Sequence, residues 1–369
     1  MADMLVAQRH ELLVRELEAS GVLKITELAT RLGVSRATIR RDLVDLETEG
    51  RVTRVRGGAL LAAPTTPQAP AHPAAPPAPV PQDSGHTLGL LVPSATYYYP
   101  RVIAGVRAAA AERGARVIIG LTDYAQPRDH EQIAELTAAG ATGLLIVSTG
   151  GHHLPPTTLD HLTTAGLPYV LLERQPQNPY VACEYVISDH QQGAYNAVRH
   201  LAELGHQRIA LFTNGSPTAP LVTQGHAQAV HHLGLDPAAP TTDSGRPTLG
   251  STEATTHYDH FINACRTTHT RAALIHSDHD AIEIMRRARA HRLRIPDDLA
   301  LIAYDDEIAS LAEVPLTAVA PHKHELGVHA AHLLLDRLTH PHPDSLPIRQ
   351  LTLQPRLIVR TSSGSPAPA

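Results

Sequence analysis

The sequence predicts an α/β protein in two parts, a small winged helix-turn-helix head and a larger two-lobed body with parallel sheets. Three observations predict it. A stretch from Gly33 to Leu43 combines a helix cap, an apolar stripe and a cluster of arginines. Residues 62–86 are dominated by alanine and proline. From Thr87 onward, short continuous apolar runs alternate with helical patterns, and strands that are apolar throughout belong to parallel sheets covered on both faces.

The head is built in order. Leu5, Val6, Leu12, Leu13 and Leu17 share one face of a helix over residues 5–18, which Gly21 ends. Residues 22–25 read as a connector, and Thr26 caps a second helix that runs to Leu32. Ser35 then caps a third helix extending to about Thr48, with Ile39, Leu43 and Leu46 on its buried face and Gly50 as its stop. Residues 51–56 alternate apolar and basic side chains, the period of a half-exposed strand, and lead through Gly57 and Gly58 into a basic hairpin. Between residues 31 and 58, seven arginines face four acidic residues, a local balance of +3 on a chain of net charge −5. A short helix with arginines near its start suits a DNA major groove, where guanidinium forks match guanine edges and phosphate oxygens.

Residues 61–86 have no apolar periodicity and read as a semi-rigid spacer with polyproline character. In the body, strands are expected over 88–92, 116–121, 143–147, 169–172, 186–188, 208–212, 272–276 and 299–303. Helices are expected over 100–113, 132–139, 159–165, 192–204, 225–232 and 279–290. About 275 residues suffice for two such lobes, and ligands of open α/β sheets sit at the carboxyl ends of the strands. The resulting division is a head at 1–60, a spacer at 61–86, a body at 87–361 and a disordered tail at 362–369.

Composition bounds the function. Apolar residues make up 43% and charged residues 18% of 369, and no stretch of eighteen apolar residues is present, so no membrane span is expected. The first ten residues lack a basic region followed by an apolar core, and the two cysteines, Cys183 and Cys265, form no framework. Both features fit a cytoplasmic protein. No Gly-x-Gly-x-x-Gly follows the first body strand, and phosphate-loop and Gly-x-Ser-x-Gly motifs are absent, which disfavours an α/β enzyme. Histidine pairs at 152–153, 231–232, 322/324 and 340/342 raise metal sensing as an alternative, though adjacent histidines rarely chelate one ion unaided and the chain holds 25 histidines in all. No catalytic or metal site and no cofactor is assigned.

Two resemblances sharpen this picture. Residues 9–59, through Leu32-Gly-Val-Ser-Arg-Ala-Thr-Ile-Arg-Arg-Asp-Leu43 and Arg54-Val-Arg-Gly-Gly-Ala59, resemble the DeoR-type DNA-binding domain. The resemblance implies that Ser35, Arg36, Thr38, Arg40 and Arg41 face DNA, with Arg54 and Arg56 in the wing. Residues 87–361 resemble the LacI/GalR-type effector domain, itself similar to periplasmic binding proteins. The resemblance is carried by Ile187-Ser-Asp-His-Gln-Gln-Gly193, Ser277-Asp-His-Asp-Ala281, Ile295-Pro-Asp-Asp-Leu299, Ala303-Tyr-Asp-Asp306 and Leu357-Ile-Val-Arg360. It implies a carbohydrate held between the lobes by Tyr98 and Tyr99 as stacking faces, with Asp123, Arg174 and Asp278 taking its hydroxyls. Such a mixture suits a polyol, whose hydroxyls need carboxylates and guanidinium forks and whose C–H face needs a ring. Asp189 and Asp306 read as structural, and Val222 stands where the sensor family often has an arginine.

The expected protein is therefore a homodimeric, ligand-responsive repressor of double-stranded operator DNA. Replacing Arg40 or Arg41 by alanine should weaken operator binding by about 1–3 kcal/mol wherever a base contact is lost. Fluorescence anisotropy on labelled operator measures it, and unchanged binding in both variants would overturn the assignment of the third helix.

Overall fold

The computed structural model describes residues 23–24, 42–43, 46, 52–55, 58–61, 84–124 and 128–364. The chain falls into two compact units, residues 1–80 and 81–369. In the first, Leu23–Lys24 (β1), Val52–Val55 (β2) and Gly58–Leu61 (β3) form an antiparallel sheet in the order β1-β3-β2. The hairpin pairs Arg54 with Ala59 and Val55 with Gly58, as the alternating basic run implies. The connector expected at 22–25 instead holds β1, whose Leu23 pairs with Ala59. Asp42, Leu43 and Leu46 are helical and buried, so the stripe assigned to the third helix does face inward at these positions. Ser35, Arg36, Thr38, Arg40, Arg41 and Arg56 lie outside the described residues.

The second unit begins with Thr87–Val92 (β4), Tyr99–Glu112 (α1), Arg116–Leu121 (β5), Arg128–Ala138 (α2), Gly143–Ile146 (β6) and His153–Leu154 (β7). Pro156–Ala165 (α3), Tyr169–Leu172 (β8), Gln175–Pro176 (β9) and Glu184–Ser188 (β10) follow. Next come His190–Glu203 (α4), Ala210–Thr213 (β11), Ala219–His232 (α5), Thr241–Asp243 (β12), Thr252–Thr267 (α6) and Ala272–Ile275 (β13). The chain continues through Asp278–Ala290 (α7), Ala300–Tyr304 (β14), Thr317–Ala320 (β15), Lys323–Thr339 (α8), Gln350–Leu353 (β16) and Arg356–Ile358 (β17).

Two lobes result. The first holds a parallel six-stranded sheet in the order β16-β10-β8-β6-β4-β5, and the second a six-stranded sheet in the order β12-β11-β13-β14-β15-β17. Only β17 in the second sheet is antiparallel to its neighbour. Ser362 and Ser363, expected to open a disordered tail, are instead buried: the Ser362 hydroxyl donates to the Leu301 carbonyl at 2.6 Å and accepts the Thr317 amide at 2.8 Å. Each sheet is covered on both faces, which is why β4 from Leu88 onward, β6, β8, β13 and β14 are apolar. Leu88 and Leu90 of β4 pack with Val102 and Val106 of α1, and Leu91 faces Ile133 and Leu136 of α2. In the second lobe Phe212 packs against Phe261 of α6, and Leu211 against Val198 of α4. Val222 is fully buried in that last cluster, so at this position the chain places a core residue.

The chain crosses between lobes three times. It leaves the first after β10, returns after β15 so that α8 packs on α1, and crosses again between β16 and β17. Close approach of α1 and α8 requires two glycines. A Cβ on Gly105 would run into the His324 carbonyl, and one on Gly327 into the Val102 carbonyl. Among the described residues, no helix is long and apolar enough to cross a membrane.

Gly105→Ala should therefore cost about 1–3 kcal/mol through overpacking. Gly151→Ala, at a position where a Cβ meets nothing within 4 Å, should leave stability within about 0.5 kcal/mol. Urea denaturation of both variants tests the difference.

Candidate functional site

The carboxyl ends of both sheets face one cleft of about 470 Å³. From the first lobe come Tyr97, Tyr98 and Tyr99 after β4, Tyr124 after β5, Glu173 and Arg174 after β8, and His190 after β10. The second lobe adds Asn214 and Thr218 after β11, Arg246 and Leu249 after β12, His276, Ser277, His279 and Asp280 after β13, and Asp305 after β14. Every contributing loop leaves the carboxyl end of a strand, as the rule for open parallel sheets requires.

The floor is a dense polar network. Glu173 accepts hydrogen bonds from the Tyr98 hydroxyl, the Ser188 amide at 2.9 Å and the Ser188 hydroxyl at 2.7 Å. His190 Nε2 lies 3.4 Å away without an aligned hydrogen bond. Burial pushes the Glu173 pKa up, but His190, the Tyr98 hydroxyl and the Ser188 amide outweigh it and bring the carboxyl down to about 2. Arg174 is buried, giving Nε to the Ser148 carbonyl at 3.0 Å and Nη1 to the Glu173 carbonyl at 2.7 Å. These bonds fix the plane of the fork, and Nη2 has no hydrogen bond to a described residue. Lys323 is buried, lies 4.8 Å from the centre of the Tyr98 ring and bonds Glu307 at 2.6 Å as well as the Asp305 carbonyl.

The second lobe presents two aspartates in different states. Asp280 completes the capping box of α7 with Ser277 and also accepts from Asn214 at 3.0 Å and Tyr258 at 2.6 Å. Asp278 is fully buried, and its Oδ2 accepts the amides of Glu307 and Ile308, both at 2.7 Å. Its Oδ1 accepts the hydroxyl of Tyr97 from the opposite lobe at 2.5 Å. At the mouth, the Arg246 guanidinium lies 5.1 Å from the centre of the Tyr124 ring, again joining one lobe to the other.

The residues named from sequence fall in three places. Tyr98, Tyr99 and Arg174 line the cleft. Asp278 sits directly behind Tyr97 rather than on the lining. Asp123 does not reach the cleft: in a turn where it and Tyr124 both hold positive φ, its side chain is 71% exposed and paired with Arg128 at 3.4 Å. Tyr124, one residue on, takes the place at the lining. Asp189 caps α4 through the Gln192 amide, and Asp306 pairs with Arg360. Sequence reasoning missed Tyr97, Tyr124, Arg246, Asp305 and Lys323. The Tyr97-Tyr98-Tyr99 run and the Tyr304-Asp-Asp306 run were the available signals for the first and fourth. As for metal, no group of three or more His, Cys, Asp or Glu side chains is arranged to hold an ion among the described residues.

Comparison with known proteins agrees with this geometry. Residues 9–65 match the family model of the DeoR-like helix-turn-helix domain, and residues 198–363 that of the periplasmic binding protein-like domain. This chain joins a DeoR-like helix-turn-helix head to a periplasmic binding protein-like domain, the make-up of a DNA-binding transcriptional regulator. The regulator is 26% identical over 342 residues to the arabinose metabolism transcriptional repressor of Geobacillus stearothermophilus, covering 91% of this chain and 90% of that protein. It is 29% identical over 336 residues to the transcriptional regulator CelR of Thermobifida fusca, covering 85% and 94%. Its fold superposes on the CelR–cellobiose complex with a TM-score of 0.65 at 23% identity, over 93% of this chain and all of that one. A ribose-bound LacI family regulator from Enterococcus faecium gives 0.62 at 23% identity, over 76% and 100%.

One lining residue makes the regulator sensitive to acid. Burial lowers the His276 pKa from its ordinary 6.5 to about 4. The unfolded chain binds a proton near pH 6.5, whereas the folded chain resists it until about pH 4. The stability that His276 contributes is thus complete above pH 6.5 and declines between 6.5 and 4, by up to about 1.4 kcal/mol per pH unit. Denaturation at a series of pH values should show a shallower slope across that window for His276→Gln than for the parent chain.

Proposed function

We propose that this regulator is a repressor that binds operator DNA through its head, as a homodimer, and whose operator affinity is set by a small carbohydrate held in the cleft of its body. The observation that carries the reading is the cleft itself. Aromatic faces at Tyr98, Tyr99 and Tyr124 stand beside the fixed guanidinium of Arg174, the combination that binds the two chemically different sides of a sugar ring. The curated relatives named for arabinose and ribose control support the same class, as do the solved neighbours holding cellobiose and ribose. The site carries no catalytic role in this reading, and the protein works in the cytoplasm, where its DNA is. Two half-sites on DNA call for two heads, hence the dimer.

In mechanism, the body closes on its ligand and biases the dimer between two arrangements that differ in operator affinity. The ligand can shift that balance only by its differential affinity for the two, typically about 1–3 kcal/mol or about 5–150-fold. Arg174 and the Glu173 network are rigid before the ligand arrives, so little ordering cost is left to the binding step.

The test is a panel of L-arabinose, D-ribose, D-glucose and cellobiose. At about 100 times its dissociation constant, a binding sugar should add about 2.7 kcal/mol of stability, read as a rise in melting temperature. The same sugar should change anisotropy-measured affinity for DNA upstream of the gene by at least about fivefold. A sugar that stabilises the protein yet leaves DNA affinity unchanged would overturn the regulatory coupling.

A further inference from the structure

Two buried carboxyls at the cleft already hold a hydroxyl of the protein itself. Tyr97 belongs to the first lobe, in the turn between β4 and α1, and holds a positive φ of 58° that a bulky side chain rarely adopts. From there its ring lies against His279, with centroids 4.7 Å apart. Its hydroxyl reaches Asp278 at 2.5 Å and Asp305 at 3.1 Å, both carried by the second lobe. Asp278 is fully buried and Asp305 nearly so. A hydroxyl beside two carboxyls, with a ring face packed on a neighbouring ring, is the arrangement in which a binding site holds one unit of a polyol.

We infer that Tyr97 is a specificity-determining residue that stands in for one hydroxyl-bearing unit of a carbohydrate, sealing the Asp278–Asp305 end of the cleft and tying the two lobes together. The inference rests on the carbohydrate reading above. A ligand is confined to the chamber outside Tyr97, between Arg174, Tyr124 and Arg246, and makes no contact with Asp278. Proton counting supports the arrangement. A hydroxyl donates once, and the shorter distance assigns that bond to Asp278. The Asp305 carboxylate oxygen, 3.1 Å from the same hydroxyl, is the second carboxyl gathered around it.

Calorimetry with the same four sugars tests this on the full chain. Tyr97→Ala opens the sealed end, so the affinity for cellobiose relative to the monosaccharides should rise at least tenfold, and adding Asp278→Asn should remove that gain. An unchanged ratio in a Tyr97→Ala chain that still binds a monosaccharide overturns the specificity role. A ligand-free measurement covers a variant that binds poorly. In Tyr97→Phe, hydrogen–deuterium exchange at the Glu307 and Ile308 amides should quicken at least tenfold, because the tie on Asp278 is lost, and an unchanged rate overturns the tie. If no sugar of the panel binds any of these chains, the carbohydrate reading fails and the specificity role with it, while the exchange rates still decide whether Tyr97 joins the lobes.

Discussion

Charge taken out of water must find partners or be neutralised, and the body of this regulator is arranged around that demand. Glu173, His190, Asp278, Asp305 and Lys323 are all buried beneath one cleft. Three of them are satisfied by groups from other parts of the chain: Glu173 by Tyr98 and Ser188, Asp278 by Tyr97 and the 307–308 amides, Lys323 by Glu307 and the Asp305 carbonyl. The network is complete only when the loops after β4, β8, β10, β13 and β14 are all in place. It therefore fixes the relative positions of strand ends that no local propensity could set, and it leaves the cleft preformed.

Much of the architecture was legible because buried parallel strands announce themselves. Leu88 to Val92, Gly143 to Ile146 and Ala272 to Ile275 are short apolar runs that could pack only inside a covered sheet. Elements without that contrast went unread. β12 is Thr-Thr-Asp and β15 is Thr-Ala-Val-Ala, strands made by their neighbours rather than by their own apolarity. α6 and α8 carry real stripes, Tyr258-Phe261-Ile262 and Leu326-Ala330-Leu334, but histidines and threonines interrupt them. The pairing of β16 with β10 joins segments more than 150 residues apart, and no local pattern encodes it.

The candidate site shows the same division. Residue types after each strand were readable, whereas the direction each side chain takes was set by backbone torsion. Positive φ values at Tyr97, Asp123 and Tyr124 mark the turns where the expected roles are redistributed: Tyr97 crosses the cleft, Asp123 points to solvent and Tyr124 lines the cleft. The family resemblance pointed to a polyol site, and the turn geometry decides which of the named side chains reach the cleft.

The triple crossing of the chain has a consequence for how the protein is made. The first lobe is not a continuous segment: its sheet lacks an edge until β16 exists, and α1 lacks its covering partner until α8 does. On the ribosome, residues 87–188 emerge early yet expose the apolar face that Leu326, Ala330 and Leu334 will later cover. The second lobe has nearly all its strands by residue 320, so it is placed to mature first, although its N-terminal neighbour was synthesised before it. The first lobe can complete its sheet and cover α1 only once α8 and β16 have been made, so its packing follows that of the second lobe.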